Sequence, residues 1–212
     1  MHRIRSRQFH RLTGIILLLP FLVWSLSGIF FLVRPGYNEA YEQIPVRRYD
    51  IDRSVSTLPF SANTNWQEVR YFRSLLGEHL LVNENDSWRH LNVQTGEDWL
   101  LPEETELQRF LEDAISFNAP RYGRIIRIED ATAWTDTGVE ISVDWTTASI
   151  RQQGRDTRWI DRIYSLHYLQ WTGYWLSDRI LGVLGLLLLL YMTYSGARMA
   201  FTKAEPLSRK AS

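Results

Sequence analysis

Residues 12–33 read LTGIILLLPFLVWSLSGIFFLV, a run without a charge, and at 1.5 Å per residue they make about 33 Å of helix, enough to cross the hydrocarbon core of a bilayer. A second uncharged run, residues 180–197 (ILGVLGLLLLLYMTYSGA), lies between Arg179 and Arg198 and is just long enough to cross. The two runs set the fold class: a membrane protein with one transmembrane helix towards each end and a folded domain between them. Two spans place both termini on one side. The first eleven residues carry Arg3, Arg5, Arg7 and Arg11, and the segment after the second run carries Arg198, Lys203, Arg209 and Lys210. The positive-inside rule therefore predicts that both termini are cytoplasmic, while the long central region largely escapes that rule. A cleaved signal peptide is the competing account of the first run. The run is too long for one, and Arg34-Pro35-Gly36 follows it where small residues are needed for cleavage, so the expectation is a retained anchor.

The expected organisation is a cytoplasmic N-terminus (1–11), a first span (12–33), an extracytoplasmic domain (34–162), a pre-membrane helix (163–179), a second span (180–201) and a cytoplasmic tail (202–212). Lys plus Arg and Asp plus Glu balance at 24 each. No global field draws the chain to nucleic acid, and no nucleic-acid partner is expected. The chain has no cysteine, which excludes disulfides, thiolate metal sites, iron–sulfur clusters and covalently attached haem. Redox chemistry would need a bound cofactor. Nine Trp and ten Tyr suit bilayer interfaces, core packing or the surroundings of a flat cofactor.

The region between the runs reads as α+β with an antiparallel sheet. Residues 68–82 (EVRYFRSLLGEHLLV) predict two strands turning near Gly77-Glu78, and residues 88–99 another strand and a turn at Thr95-Gly96. Residues 103–117 place Leu107, Phe110, Leu111 and Ile115 at helical spacing behind an acidic first turn. Strands are expected over 123–133 and 139–150, the latter alternating Val139, Ile141, Val143 and Trp145 with Glu140, Ser142 and Asp144. His79 and His90, with Glu78, Glu84 or Asp86, could make an iron or substrate site, although their spacing matches no known metal cage and lone strand histidines are usually structural. No Ser/His/Asp or phosphate-loop pattern supports hydrolysis or nucleotide binding.

Two further histidines lie at the membrane. His10 sits just before the first run, and His167 lies in IYSLHYLQWTGY (163–174), before the second. Ionisable groups beside lipid are functional candidates, although a residue this near the interface can also snorkel to the headgroups. An offset of 18 residues, about five helical turns, puts Gly28 on the face of His10, with Gly14 one turn above it, and links His167 to Gly185. Ser27-Gly28 and Ser195-Gly196 permit close approach of a helix or of a flat ring; plain helix packing explains them equally. Haem b held between helices by two neutral imidazoles fits histidines, glycines and surrounding aromatics together. His10 and His167 are expected about 30 Å apart, too far to share one iron. A homodimer with its twofold axis along the membrane normal lets each histidine meet its own copy.

The sequence H-R-x-x-G at His10, W-S-L-S-G in the first run, R-W-I-D-R-I-Y-S-L-H ending at His167, and S-G closing the second run resemble the PepSY-associated transmembrane family. LNVQTGEDW (91–99) and VDWTTASI (143–150) resemble its strand, aspartate and Thr-Gly turn, with Thr147-Ala148 in place of the second Thr-Gly. The resemblance spans nearly the whole chain and implies a periplasmic PepSY-like domain over 34–162 in the bacterial inner membrane. Relatives that resemble this compact two-span form are VciB-like haem-dependent ferric reductases. By that resemblance the chain is expected to be an oxidoreductase carrying haem b, with His10 and His167 as axial ligands. Gly14, Gly28, Gly185, Trp24 and Trp171 would lie near the ring, with Tyr174 and Trp175 as further aromatics, Asp178 and Arg179 as interface charges, Fe(III) as substrate and a ferrous iron transporter as partner. Other PepSY proteins restrain peptidases or bind partners, so a non-enzymatic membrane-anchored module is the alternative, and an accessory transporter subunit a third.

Overall fold

The computed structural model describes residues 2–51 and 65–201, with side chains from residue 7 onward. Expectations placed on Lys203, Arg209, Lys210 and the 202–212 tail, and on the side chains of Arg3 and Arg5, lie outside the described residues. In chain order the elements are α1 (His2–Val33), α2 (Tyr37–Ala40), β1 (Trp66–Ser74), β2 (Gly77–Glu84), β3 (Ser87–Asn92), α3 (Glu104–Ile115), α4 (Ala119–Tyr122), β4 (Ile125–Glu129), β5 (Thr132–Thr135), β6 (Glu140–Asp144), β7 (Ser149–Gln153), α5 (Arg155–His167) and α6 (Trp175–Phe201). They form two compact units, one of residues Met1–Pro35 and Trp159–Ser212, the other of Gly36–Arg158.

The first unit holds two helices long and apolar enough to cross a membrane, Arg7–Val33 and Trp175–Phe201, each of 27 residues. They pack antiparallel, since Phe9 stacks edge-on against Tyr191 near the start of α1 and the end of α6, and Gly14 faces Met192. The side chains that become buried on these otherwise exposed helices are small and polar, Thr13, Ser27 and Ser195. Small residues allow close backbone approach where lipid gives no hydrophobic drive to association.

The expected pre-membrane helix over 163–179 is not one element. Its first part ends α5 at His167 and its last part begins α6 at Trp175. The break is a Schellman closure: Gln170 N–H donates to the Ser165 carbonyl at 2.8 Å and Leu169 N–H to the Leu166 carbonyl at 3.3 Å, with Leu169 in the left-handed region at φ 58°. Trp171 Nε1 adds a bond to the Leu166 carbonyl at 2.9 Å. Asp178 then accepts from the Thr172 N–H at 2.9 Å and from its hydroxyl at 2.8 Å, holding the turn that opens α6.

The second unit carries two antiparallel meanders, β1-β2-β3 and β4-β5-β6-β7. The apolar stripe of α3 (Leu107, Phe110, Leu111, Ala114, Ile115) packs with Ile44, Tyr122, Ala133, Ile141, Val143, Trp145 and Ile150 in the main core. Two sequence expectations change here. The 123–133 strand is a hairpin, β4 and β5, turning at Asp130 with φ 50°, and the 139–150 strand divides into β6 and β7. In the second case the alternating pattern runs through a turn, because Asp144 Oδ1 accepts from the N–H groups of Thr146 and Thr147.

That turn has a counterpart. Asn92 Oδ1 accepts from the N–H groups of Gln94 and Thr95, and Gly96 then sits at φ 73° where Ala148 sits at φ 49°. The same side-chain-to-backbone device thus follows β3 in the first meander and joins β6 to β7 in the second. Because Leu111 is fully buried in the main core, Leu111→Ala should destabilise the domain by about 2–5 kcal/mol. Urea titration of the detergent-solubilised full chain, followed by tryptophan fluorescence, measures it.

Candidate functional site

The packing of α1 against α6 and against the end of α5 brings each membrane histidine to the Ser-Gly pair of the opposing segment. At one end, His10 Nδ1 lies 2.6 Å from Ser195 Oγ, and a Cβ added to Gly196 would lie 3.7 Å from His10 Cε1. At the other, His167 Nδ1 lies 2.9 Å from Ser27 Oγ, and a Cβ added to Gly28 would lie 3.8 Å from His167 Cε1. Ser27 Oγ donates back to the Trp24 carbonyl at 2.9 Å, and Ser195 Oγ to the Met192 carbonyl at 3.2 Å. The two clusters have the same composition and internal bonding. Along α1, His10 and Ser27 are separated by about 25 Å of helix, which puts the clusters at opposite ends of the pair.

This placement revises the glycine assignments. Gly28 adjoins the imidazole of His167, not that of His10, and Gly14 adjoins Met192, whose Cε would lie 3.1 Å from an added Cβ. Gly185 has no atom within 4 Å of an added Cβ, so within the chain it is not a neighbour of His167. Helical phase relates residues on one helix, whereas antiparallel packing decides what each face meets. Gly196, Ser27 and Ser195 are site residues that phase alone did not assign to a histidine. The repeated Ser-Gly was their only signal.

Aromatic side chains surround one cluster. Trp24 stacks on His167 with centroids 5.5 Å apart and planes within 9°, and Phe31 meets it edge-on at 4.9 Å. Phe31 also stacks on Tyr164 at 4.4 Å. Trp171 acts one step removed, through its bond to the Leu166 carbonyl beside His167. Arg179 lies over the ring of Trp175 at 4.5 Å, and Tyr174 is exposed.

The other histidine pair is a separate, closed system. The Trp145 carbonyl can only accept, so His90 Nδ1 donates to it at 2.7 Å. His90 Nε2 is then an acceptor, and His79 Nδ1–H donates to it with the nitrogens 2.9 Å apart. His79 Nε2 in turn accepts from the Ser74 hydroxyl at 2.5 Å, whose oxygen receives the Leu76 N–H at 3.0 Å. All four ring nitrogens are engaged, within an aromatic box where Phe72 and Trp99 stack on His79 at 4.7 and 4.6 Å. The expectation of an iron or substrate site at His79 and His90 with Glu78, Glu84 or Asp86 is therefore not met. Among the described residues no group of three or more His, Asp or Glu side chains is placed to hold a metal ion. This chain locks β2 and β3 to the turn after β6.

A family model described as the PepSY-associated TM region matches residues 1–204. The chain belongs to the PepSY-associated TM family. No curated protein and no solved structure matches it. Membership agrees with the two apolar helices and the pair of antiparallel meanders between them.

Burial holds His79 neutral, lowering its pKa to about 3, with the neighbouring His90 adding to the effect. Burial also lowers His90, against the opposing bond to the Trp145 carbonyl. Both groups bind protons more readily unfolded than folded. Both contributions are intact above pH 6.5, the ordinary histidine value, and are lost as pH falls below it, that of His79 towards pH 3. The maximal slope for one proton is about 1.4 kcal/mol per pH unit. Urea titrations between pH 7.5 and 4 should show this loss, and His79→Gln should flatten it while lowering stability at pH 7.5.

Proposed function

We propose that this chain is a homodimeric b-type haem ferric reductase of the bacterial inner membrane, passing electrons from a cytoplasmic or membrane donor to periplasmic Fe(III) and so supplying Fe(II) for uptake by a ferrous iron transporter. The observation that carries the reading is the repeated cluster: one imidazole, one serine and one glycine at each end of the α1–α6 pair. Imidazole is a haem ligand type, and no cysteine is present for covalent attachment. Among the described side chains each end supplies one histidine, so a haem held by two such imidazoles would take the second from another copy of the chain, as a twofold axis along the membrane normal would provide. An added Cβ at Gly28 or Gly196 would make only ordinary contact, and one at Gly185 would meet nothing. Packing within the chain therefore does not demand glycine at these positions, whereas close approach of a flat ring or another helix does.

In this reading His10 and His167 hold the iron at the two ends, and the haem supplies one-electron chemistry. Trp24 and Phe31 wall the His167 imidazole. Each electron delivered converts one Fe(III) to Fe(II), without an acid, base or nucleophile from the protein. The closed His79–His90 chain leaves no ring nitrogen for substrate iron, which agrees with outer-sphere transfer.

The test is the reduced-minus-oxidised visible spectrum of detergent-purified protein with haem quantified per chain. Sharp Soret and alpha bands are expected, with about half the haem lost in His10→Ala and in His167→Ala and nearly all in the double variant. Ferric citrate should reoxidise the reduced protein. Colourless protein from haem-sufficient cells overturns the reading and leaves a membrane-anchored binding module.

A further inference from the structure

Hydrogen-bond accounting at the two clusters carries a step beyond the identity of the ligands. A serine hydroxyl has one proton. Ser27 Oγ is 2.9 Å from the Trp24 carbonyl and Ser195 Oγ is 3.2 Å from the Met192 carbonyl, and a carbonyl can only accept. With that proton directed to the carbonyl, the contacts at 2.9 Å to His167 and 2.6 Å to His10 are hydrogen bonds only if Nδ1–H of each imidazole donates to the serine oxygen. The opposite arrangement turns each hydroxyl towards Nδ1, gives up the carbonyl bond and places a proton on Nε2. Among the described residues no acceptor is recorded for either Nε2. An unpartnered N–H in an apolar setting is less readily tolerated than an unpartnered acceptor. The same choice is repeated at both ends, in clusters that share no residue.

We infer that Ser27 and Ser195 are positioning residues that fix His167 and His10 as Nδ1–H tautomers, leaving Nε2 of each with a lone pair for iron. This rests on the haem reading above for its use, though not for the tautomer itself. A group that takes up the proton-bearing nitrogen of a metal-binding imidazole sets its tautomer and orientation and raises its basicity. Here the group is a hydroxyl from the opposing segment, made a net acceptor by its own backbone bond. Each serine therefore acts on the histidine of the other segment, and each cluster serves as an internal control for the other.

The experiment has two arms on the full-length chain in detergent. In the first, nitrogen-15 NMR of histidine-labelled, haem-free protein reads both tautomers, with resonances assigned through His10→Gln and His167→Gln. Protonated Nδ1 and unprotonated Nε2 are expected at both residues, and an Nε2–H form at either overturns the inference for that cluster. In the second, ferric protoporphyrin IX is titrated into the wild type and into Ser27→Ala, Ser195→Ala and the matching threonine variants. Ser27→Ala should weaken the His167 site by roughly 10–100-fold and mix its tautomers while sparing the His10 site. Ser195→Ala should do the reverse, and threonine should restore both readouts. Unchanged affinity and tautomer in the alanine variants overturn the inference while leaving the haem reading intact. Nδ1–H at both histidines in a chain that takes up no haem supports the tautomer assignment and overturns the haem reading.

Discussion

An imidazole beside apolar helices has to find a hydrogen-bond partner on a surface that offers almost none, and the arrangement of α1 against α6 follows from how that requirement is met. His10 reaches Ser195 and His167 reaches Ser27. Sliding α1 by a turn, about 5.4 Å, against α6 and the end of α5 would break both bonds together. Dispersion between Leu, Ile and Val side chains does not distinguish one register from another so sharply. The two polar contacts, with small neighbours such as Gly14 and Thr13 permitting close approach, give the pair a specific alignment.

The described histidine side chains divide into two chemical kinds through the same accounting. In the interhelical domain, Ser74, His79, His90 and the Trp145 carbonyl form a directed chain in which every ring nitrogen is used. Buried and neutral, those imidazoles hold one meander to the other. At the membrane helices only Nδ1 is engaged by a recorded partner, so each ring keeps a nitrogen with ligand chemistry. Residue type is the same in both places; the number and polarity of available partners determine what each imidazole can do.

The two meanders also share a construction. Asn92 and Asp144 each draw two following N–H groups onto a side-chain oxygen, and Gly96 and Ala148, each next after the second of those groups, take a positive φ. The alanine keeps this backbone conformation while its methyl packs with Phe72 and Leu81. This shared turn explains why the second Thr-Gly signature tolerates an alanine: side-chain packing accompanies a backbone geometry that glycine would adopt more freely.

The sequence by itself determined the two spans, the α3 stripe and most strands, because these depend on uncharged length and on periods that neighbouring residues set. It located the histidines and the repeated Ser-Gly pairs. It misread residues 123–133 and 139–150 as single strands, since apolar alternation continues across Asp130 and Asp144 while turn bonds redirect the backbone. It also extended a helix through Leu169, where carbonyl closure by Gln170 and Trp171 ends it. Only the tertiary structure decided that Gly28 belongs with His167 and Gly196 with His10, and that His79 and His90 complete each other. Such pairings join residues far apart in the chain, and neither local periodicity nor helical phase carries information about which surface of another segment a side chain will meet.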